Sequence, residues 1–230
     1  MTHLDTVKIW HWLRRHVWLA VALIIVGIGI AVFSELADEL REGGLGYFDQ
    51  SINHVVAAYR TPLLFWLAYG LSQVLAFPYV GIWVAAVAVL LWVQRCRLLA
   101  IAFATIPLAT GLIVEGLKAI FRRHRPLDAV VYALGNSFPS GHAAGSLVTY
   151  GLLAYIAWRC WVRNQWGRAL LVALAALLTL ATGLARIYLQ VHYPSDVVGG
   201  WAAGACILAG SIIVLERLSP SDPNDTVTAV

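Results

Sequence analysis

From Thr61 to Gln94 the chain carries no Asp, Glu, Lys or Arg. Other long apolar runs recur at Val17–Phe33, Leu98–Phe121, Ala143–Trp158, Ala169–Ala185 and Val197–Leu215, each near the roughly 20 residues an α-helix needs to cross a bilayer. Inside lipid every backbone N–H and C=O must find its partner within the protein, which helices achieve segment by segment. Charged residues are 12% of the 230, and mean hydropathy is +0.76. A soluble domain carries about twice that charge. The sequence therefore predicts an all-α, polytopic membrane helix bundle and argues against a water-soluble globule.

Val17–Phe33, preceded by Arg14 and Arg15, is read as the first span. A signal peptide has the same basic-then-apolar order, but no small-x-small cleavage site follows, which favours an uncleaved anchor. Ser34–Arg60 holds Glu35, Asp38, Glu39, Arg41, Glu42 and Asp49 and is broken by Gly43-Gly44. It reads as a water-exposed segment with a surface helix near Phe48–Tyr59. Pro78 divides the charge-free stretch, since proline removes a helical hydrogen bond and clashes one turn back. Pro62–Leu75 becomes an interfacial or re-entrant helix and Phe77–Val93 the second span, with a full extra span as the rival. The remaining runs give spans three to six. Residues 1–218 then form one six-span domain, with 34–75 as an extracytoplasmic, interfacial segment. Residues 219–230, with Pro220 and Pro223, read as a disordered cytoplasmic tail.

Counting cations tests this topology. With a cytoplasmic N-terminus, Lys8, Arg14, Arg15, Arg95, Arg97, Arg159, Arg163, Arg168 and Arg217 lie inside, while Arg41, Arg60, Lys118, Arg122, Arg123, Arg125 and Arg186 lie outside. Once Lys118, Arg125 and Arg186 are set aside as motif residues, the bias follows the positive-inside rule. Trp10, Trp12, Trp18, Trp92, Trp158, Trp161 and Trp166 gather at the inner ends as an aromatic belt. The net charge of +4 is not a nucleic-acid footprint, because the basic residues sit in short clusters between apolar runs. Cys96, Cys160 and Cys206 are too scattered for a disulfide framework or a metal site and are read as free thiols. No metal, cofactor or obligate protein partner is expected.

Six alternating spans bring the end of span three, the start of span four and the junction of spans five and six to one face. Those places carry the chain's chemistry. Lys118 and Arg125 stand seven residues apart near the end of span three, with Pro126 read as the helix stop. A guanidinium grips phosphate oxygens through a planar fork and an ammonium acts as a point charge, although Lys118 alone fits equally a residue snorkelling to the interface, with Arg122, Arg123 and Arg125 as headgroup anchors. Glu115, one turn earlier, either positions Lys118 or pairs with it structurally. Pro139-Ser140-Gly141-His142 opens span four, and a helix N-terminus with a glycine is a ready anion site. An ordinary helix start with an interfacial histidine has the same look. Arg186, His192 and Asp196 form the third cluster, in which Asp196 lies four residues beyond His192. A carboxylate there can hold one ring N–H and free the other nitrogen to attack, or can simply cap a helix.

As a set, K-x6-RP, PSGH and R-x5-H-x3-D closely resemble the type 2 phosphatidic acid phosphatase superfamily over roughly Glu115–Gly200. The family's third motif usually begins Ser-Arg where this chain has Ala185-Arg186, so one phosphate-binding hydroxyl is missing. The resemblance implies that His192 attacks phosphorus and forms a phosphohistidine, with Asp196 orienting its ring. It implies that Lys118, Arg125, Ser140, Gly141 and Arg186 bind the phosphate, that His142 protonates the leaving oxygen, and that no metal is needed. The implied setting is the extracytoplasmic face of a cytoplasmic membrane. The implied partners are the bilayer and a lipid phosphate, either an isoprenoid diphosphate such as undecaprenyl diphosphate or a phosphatidylglycerophosphate or phosphatidic acid. Lipid A phosphatases and phosphotransferases share the motifs. A polytopic anion transporter is the rival from another class, since intramembrane cations also suit transport; it would need neither histidine.

Overall fold

A computed structural model of the protein describes residues 3–74 and 79–218, with side chains from residue 17 onward. The described residues form eight helices and no strand: α1 (His3–Glu42), α2 (Gly46–Ala58), α3 (Pro62–Val74), α4 (Tyr79–Val93), α5 (Arg97–Phe121), α6 (Gly141–Cys160), α7 (Gln165–Tyr188) and α8 (Pro194–Leu218). The proposed break at Pro78 and the tail from Ser219 lie outside the described residues, as do the side chains of the inner-end Trp10 and Trp12.

The all-α bundle expected from hydropathy is present. Among the described residues, four helices are long and apolar enough to cross a membrane, at Val17–Glu42 of α1 and in α5, α7 and α8. Pro62–Val74 and Tyr79–Val93 qualify only as a pair, bent by 50°. The 20-residue α6 is not among the four. Its sequence, GHAAGSLVTYGLLAYIAWRC, is diluted by Gly, Ala, Ser and Thr because it is the central helix, packed against α5, α7 and α8. Small residues make that contact possible. A Cβ on Gly200 would sit 2.5 Å from the Ser140 carbonyl oxygen, and one on Gly204 would sit 2.9 Å from that of Ala144. Without side chains at these two positions, α8 approaches the backbone of α6 directly, as packing inside lipid favours.

Two local readings change. The first helix does not stop at Phe33; α1 continues to Glu42 and ends where Gly43 takes φ +82°, which a β-carbon would disfavour. Glu35, Asp38 and Glu39 therefore ride on its last turns, and Ala37 is buried there. The third span ends at Phe121 as its apolar run does, so Pro126 is not the helix stop. Arg122 adopts the left-handed conformation after Phe121, and its N–H caps the Lys118 carbonyl. The residue before a proline avoids helix, so Arg125 belongs to a loop, not to a second turn above Lys118.

The interior is divided lengthwise. At one end Leu91, Leu99, Phe103, Leu152, Ile156 and Leu215 form an apolar cluster. Tryptophans gather at that end: Trp18 meets Trp158 edge-on at 6.2 Å, and the Trp161 indole donates to the Gln94 side chain. At the other end small apolar clusters around Leu189, Val191, Ile187 and Val197 share the interior with buried polar and charged residues.

Candidate active site

Three chain segments converge where α5 ends, α6 begins and α7 hands over to α8. Ser140 is the N-cap of α6, and its hydroxyl oxygen accepts from the Ala143 N–H. That leaves the first N–H groups of the helix without intrahelical partners. A Cβ on Gly141 would lie 3.8 Å from the Lys118 ammonium, which places that cation against the same helix end. Lys118 is buried, and its Nζ donates to Glu115 Oε1 at 2.8 Å. The alternative of a snorkelling lysine fails on this burial.

Asp196 stands in the first turn of α8, behind Pro194 as the first helical residue. Its Oδ2 accepts the Tyr193 N–H at 2.9 Å, the side-chain half of a capping box, and lies 3.5 Å from His192 Nδ1. His192 is 1% exposed, and its other nitrogen, Nε2, is 3.3 Å from Arg125 Nη1. Arg125 is itself clamped by three carbonyls, those of Leu134, Gly135 and Val191. A guanidinium can only donate, so it favours the tautomer with its lone pair on Nε2 and its proton on Nδ1, facing Asp196. Burial pushes the His192 pKa down to about 4, against the upward pull of Asp196, so the ring is neutral at physiological pH.

Arg186, on the last turn of α7, is also buried, and its Nη1 donates to the Ser72 hydroxyl of α3. Its Nε has no protein partner, and neither has His142 Nε2. The charged and titratable groups that act on His142 are Arg186, His192 and Lys118. The eight predicted positions are therefore brought together: Lys118, Arg125, Ser140, Gly141, His142, Arg186, His192 and Asp196. Cations and unpaired polar atoms surround a neutral histidine in a buried interior. That arrangement suits an anion carrying several oxygens, and a phosphoryl group above all.

Three further residues were not read as part of the site. Arg123, expected at most to anchor headgroups, donates from Nη1 to Asp196 Oδ1 at 2.6 Å and from Nη2 to Asp49 Oδ2 at 2.5 Å. Asp49, placed in the water-exposed segment by composition, is fully buried. Ser72 supplies a hydroxyl to Arg186 from a helix read only as interfacial. Asp49 pairs with Arg123 across 74 positions and Ser72 reaches Arg186 across 114, so no local pattern could announce either contact.

The fold and these residues together define a polytopic helical membrane protein with a buried, cation-lined site. The PAP2 superfamily profile matches residues 95–219, more than half of the chain, and the protein belongs to that family. It is 32% identical over 89 residues to phosphatidylglycerophosphatase B of Bacillus subtilis strain 168, a match covering 38% of this chain and 44% of that one. It is 34% identical over 133 residues to the putative undecaprenyl-diphosphatase YbjG of Escherichia coli K12, covering 53% and 61%. The matched stretches thus span about half the length of these relatives. A transmembrane PAP2-type phosphatidylglycerolphosphate phosphatase from Bacillus subtilis has the same fold, with a TM-score of 0.81 at 20% identity over 86% of this chain and 98% of that one.

Proposed function

We propose that the protein is an integral-membrane lipid phosphatase that works through a phosphohistidine at His192, on the extracytoplasmic face of the cytoplasmic membrane. The observation that carries this reading is a buried, neutral His192 held between the Asp196 carboxylate and the Arg125 guanidinium, with Lys118 and Arg186 close by. Plain anion binding needs cations but no oriented nucleophile.

In the reaction the phosphoryl group enters among Lys118, Arg125 and Arg186 and the N–H groups that follow Ser140. Arg125 passes from His192 Nε2 to an equatorial oxygen, which releases the lone pair. Nε2 attacks phosphorus in line, the bond from phosphorus to the leaving oxygen breaks, and His142 gives that oxygen its proton. A fourth positive charge beside three cations is unfavourable, so His142 takes up its proton together with the phosphate dianion that offsets it. Water then attacks phosphorus as His142 takes its proton, the P–N bond breaks and returns its electron pair to Nε2, and inorganic phosphate leaves after the free alcohol or lipid monophosphate. Asp196 faces Nδ1–H throughout and balances the charge that grows on the ring. The Ser72 hydroxyl, which accepts from Arg186, keeps its own proton free for a phosphate oxygen and stands in for the hydroxyl absent at Ala185.

The relatives' names and the membrane setting support a lipid phosphate as substrate, a phosphatidylglycerophosphate or an isoprenoid diphosphate such as undecaprenyl diphosphate, with phosphatidic acid as a further candidate of the same chemistry. On this reading residues 1–218 make six spans, with α6 as the central span and α3 and α4 supplying a re-entrant or interfacial helix and a span, so both termini share one side, and the positive-inside bias supports the cytoplasm as that side. Phosphate release from these lipids in detergent with excess EDTA tests the activity. Release unaffected by chelation is expected. Anion flux into vesicles with no release from any lipid would favour the transporter instead. Transfer of phosphate to a lipid acceptor in place of water would identify a phosphotransferase on the same site.

A further inference from the structure

Asp49 is a carboxylate with no exposed surface on a short helix, α2, that composition places in water. Burying such a charge is costly unless both oxygens are hydrogen-bonded and an opposite charge is near. Both conditions hold. Oδ1 accepts the Ser195 N–H at 3.0 Å, and Oδ2 accepts the Ser195 hydroxyl at 2.6 Å and Arg123 Nη2 at 2.5 Å. The other arm of the guanidinium, Nη1, donates to Ser195 Oγ at 2.7 Å and to Asp196 Oδ1 at 2.6 Å. Arg123 lies over the Tyr193 ring at 4.2 Å, and its backbone carbonyl accepts from Ser137 at 2.8 Å. One arginine therefore bridges two carboxylates, and the second of them faces His192.

The charges explain why two carboxylates are present. An Asp196–Arg123 pair alone would be neutral and would exert little pull on a positive imidazole ring. With Asp49 sharing the guanidinium, the three groups carry a net −1. On the phosphatase reading that charge complements the cationic ring of the phosphorylated, Nδ1-protonated His192. We propose that Asp49 is a positioning residue of the reaction centre, acting through Arg123 to set both the place and the effective charge of Asp196. It would touch neither substrate nor the reacting atoms.

Substitutions of opposite charge sign separate this role from simple bracing of α2 against α8. The groups facing His192 are Asp196 of α8, Arg125 of the loop after α5, Arg186 of α7 and His142 of α6, and none of them is altered. The readout is kcat, KM and the acid limb of kcat against pH for the full chain in detergent, with thermal unfolding alongside. Asp49→Asn takes the trio from −1 to 0. It should lower kcat about 10- to 100-fold with KM within about twofold, and move the acid limb to lower pH. Arg123→Gln takes the trio to −2 and should move the limb to higher pH. The double variant restores −1 and should bring the limb back near its original position. Arg123→Lys keeps the charge without the two-armed fork and should lower kcat with the limb in place. Acid limbs that coincide in all variants, or single substitutions that move them the same way, would overturn the proposal while leaving the phosphatase reading intact. A wild-type protein that releases no phosphate from any lipid would remove that reading itself.

Discussion

The two ends of the bundle bury opposite kinds of side chain. Between α4, α5, α6 and α8 at one end, Leu91, Phe103, Leu152 and Ile156 are fully buried and meet only apolar neighbours. At the other end α2, α3, α5, α7, α8 and the turn before α8 bury Asp49, Ser72, Lys118, Arg186, Asp196 and His192. Meanwhile much of the outer surface is apolar, as Leu108 and Leu112 on α5 and Leu177 and Leu184 on α7 illustrate. A bundle in lipid gains little from hiding leucine and a great deal from satisfying what is polar. The apolar end is thus held by close packing. The buried charges gather at the other end, and their cost there is what marks it as the candidate site.

The comparison breaks first at the histidine. His192→Ala should lower phosphate release by on the order of 10⁴-fold, the loss typical of removing one member of a concerted set, with the thermal unfolding midpoint nearly unchanged. At the opposite end the effects should trade places. Phe103→Ala leaves a cavity between α4, α5 and α6 and should cost about 3 kcal/mol of stability, seen as a lower midpoint, while the folded fraction keeps its kcat. The smallest effect sharpens the boundary between the two ends: Ser72→Ala should lower kcat/KM by about tenfold, near the worth of one hydrogen bond to a charged group, and Ser72→Thr should recover most of it. A Phe103 variant that loses catalysis in its folded form would show that the two ends are not separable in this way.

Much of the fold can be read in the sequence because lipid enforces it. Each apolar run became a helix, and its ends fall where Gly43, Asn164 or Pro194 supplies terminating or capping chemistry. The site was legible for a different reason: a cation or histidine beside apolar runs has few explanations other than function. Legibility failed where a charge sat among other charges. Asp49 lies in a segment with Glu35, Asp38, Glu39 and Glu42, and nothing local distinguishes the one carboxylate that turns inward. Arg123 likewise hides between Arg122 and Arg125. Arg122 turns back to the Ala119 carbonyl, Arg125 to the histidine and Arg123 to two aspartates. Three near-identical neighbours thus have three roles, set by a left-handed residue at the end of α5 that hydropathy cannot foresee.

The central claim is a covalent bond between phosphorus and His192, and it can be sought directly. The enzyme would be mixed with ³²P-labelled lipid phosphate in EDTA, quenched in alkali on the millisecond scale, digested and mapped. The His142→Ala variant would be run in parallel, because loss of the group that activates water should prolong the intermediate. The account predicts a label stable in base and labile in acid, located on the peptide containing His192. Turnover with no such label in either protein, or a label on another residue, would contradict it.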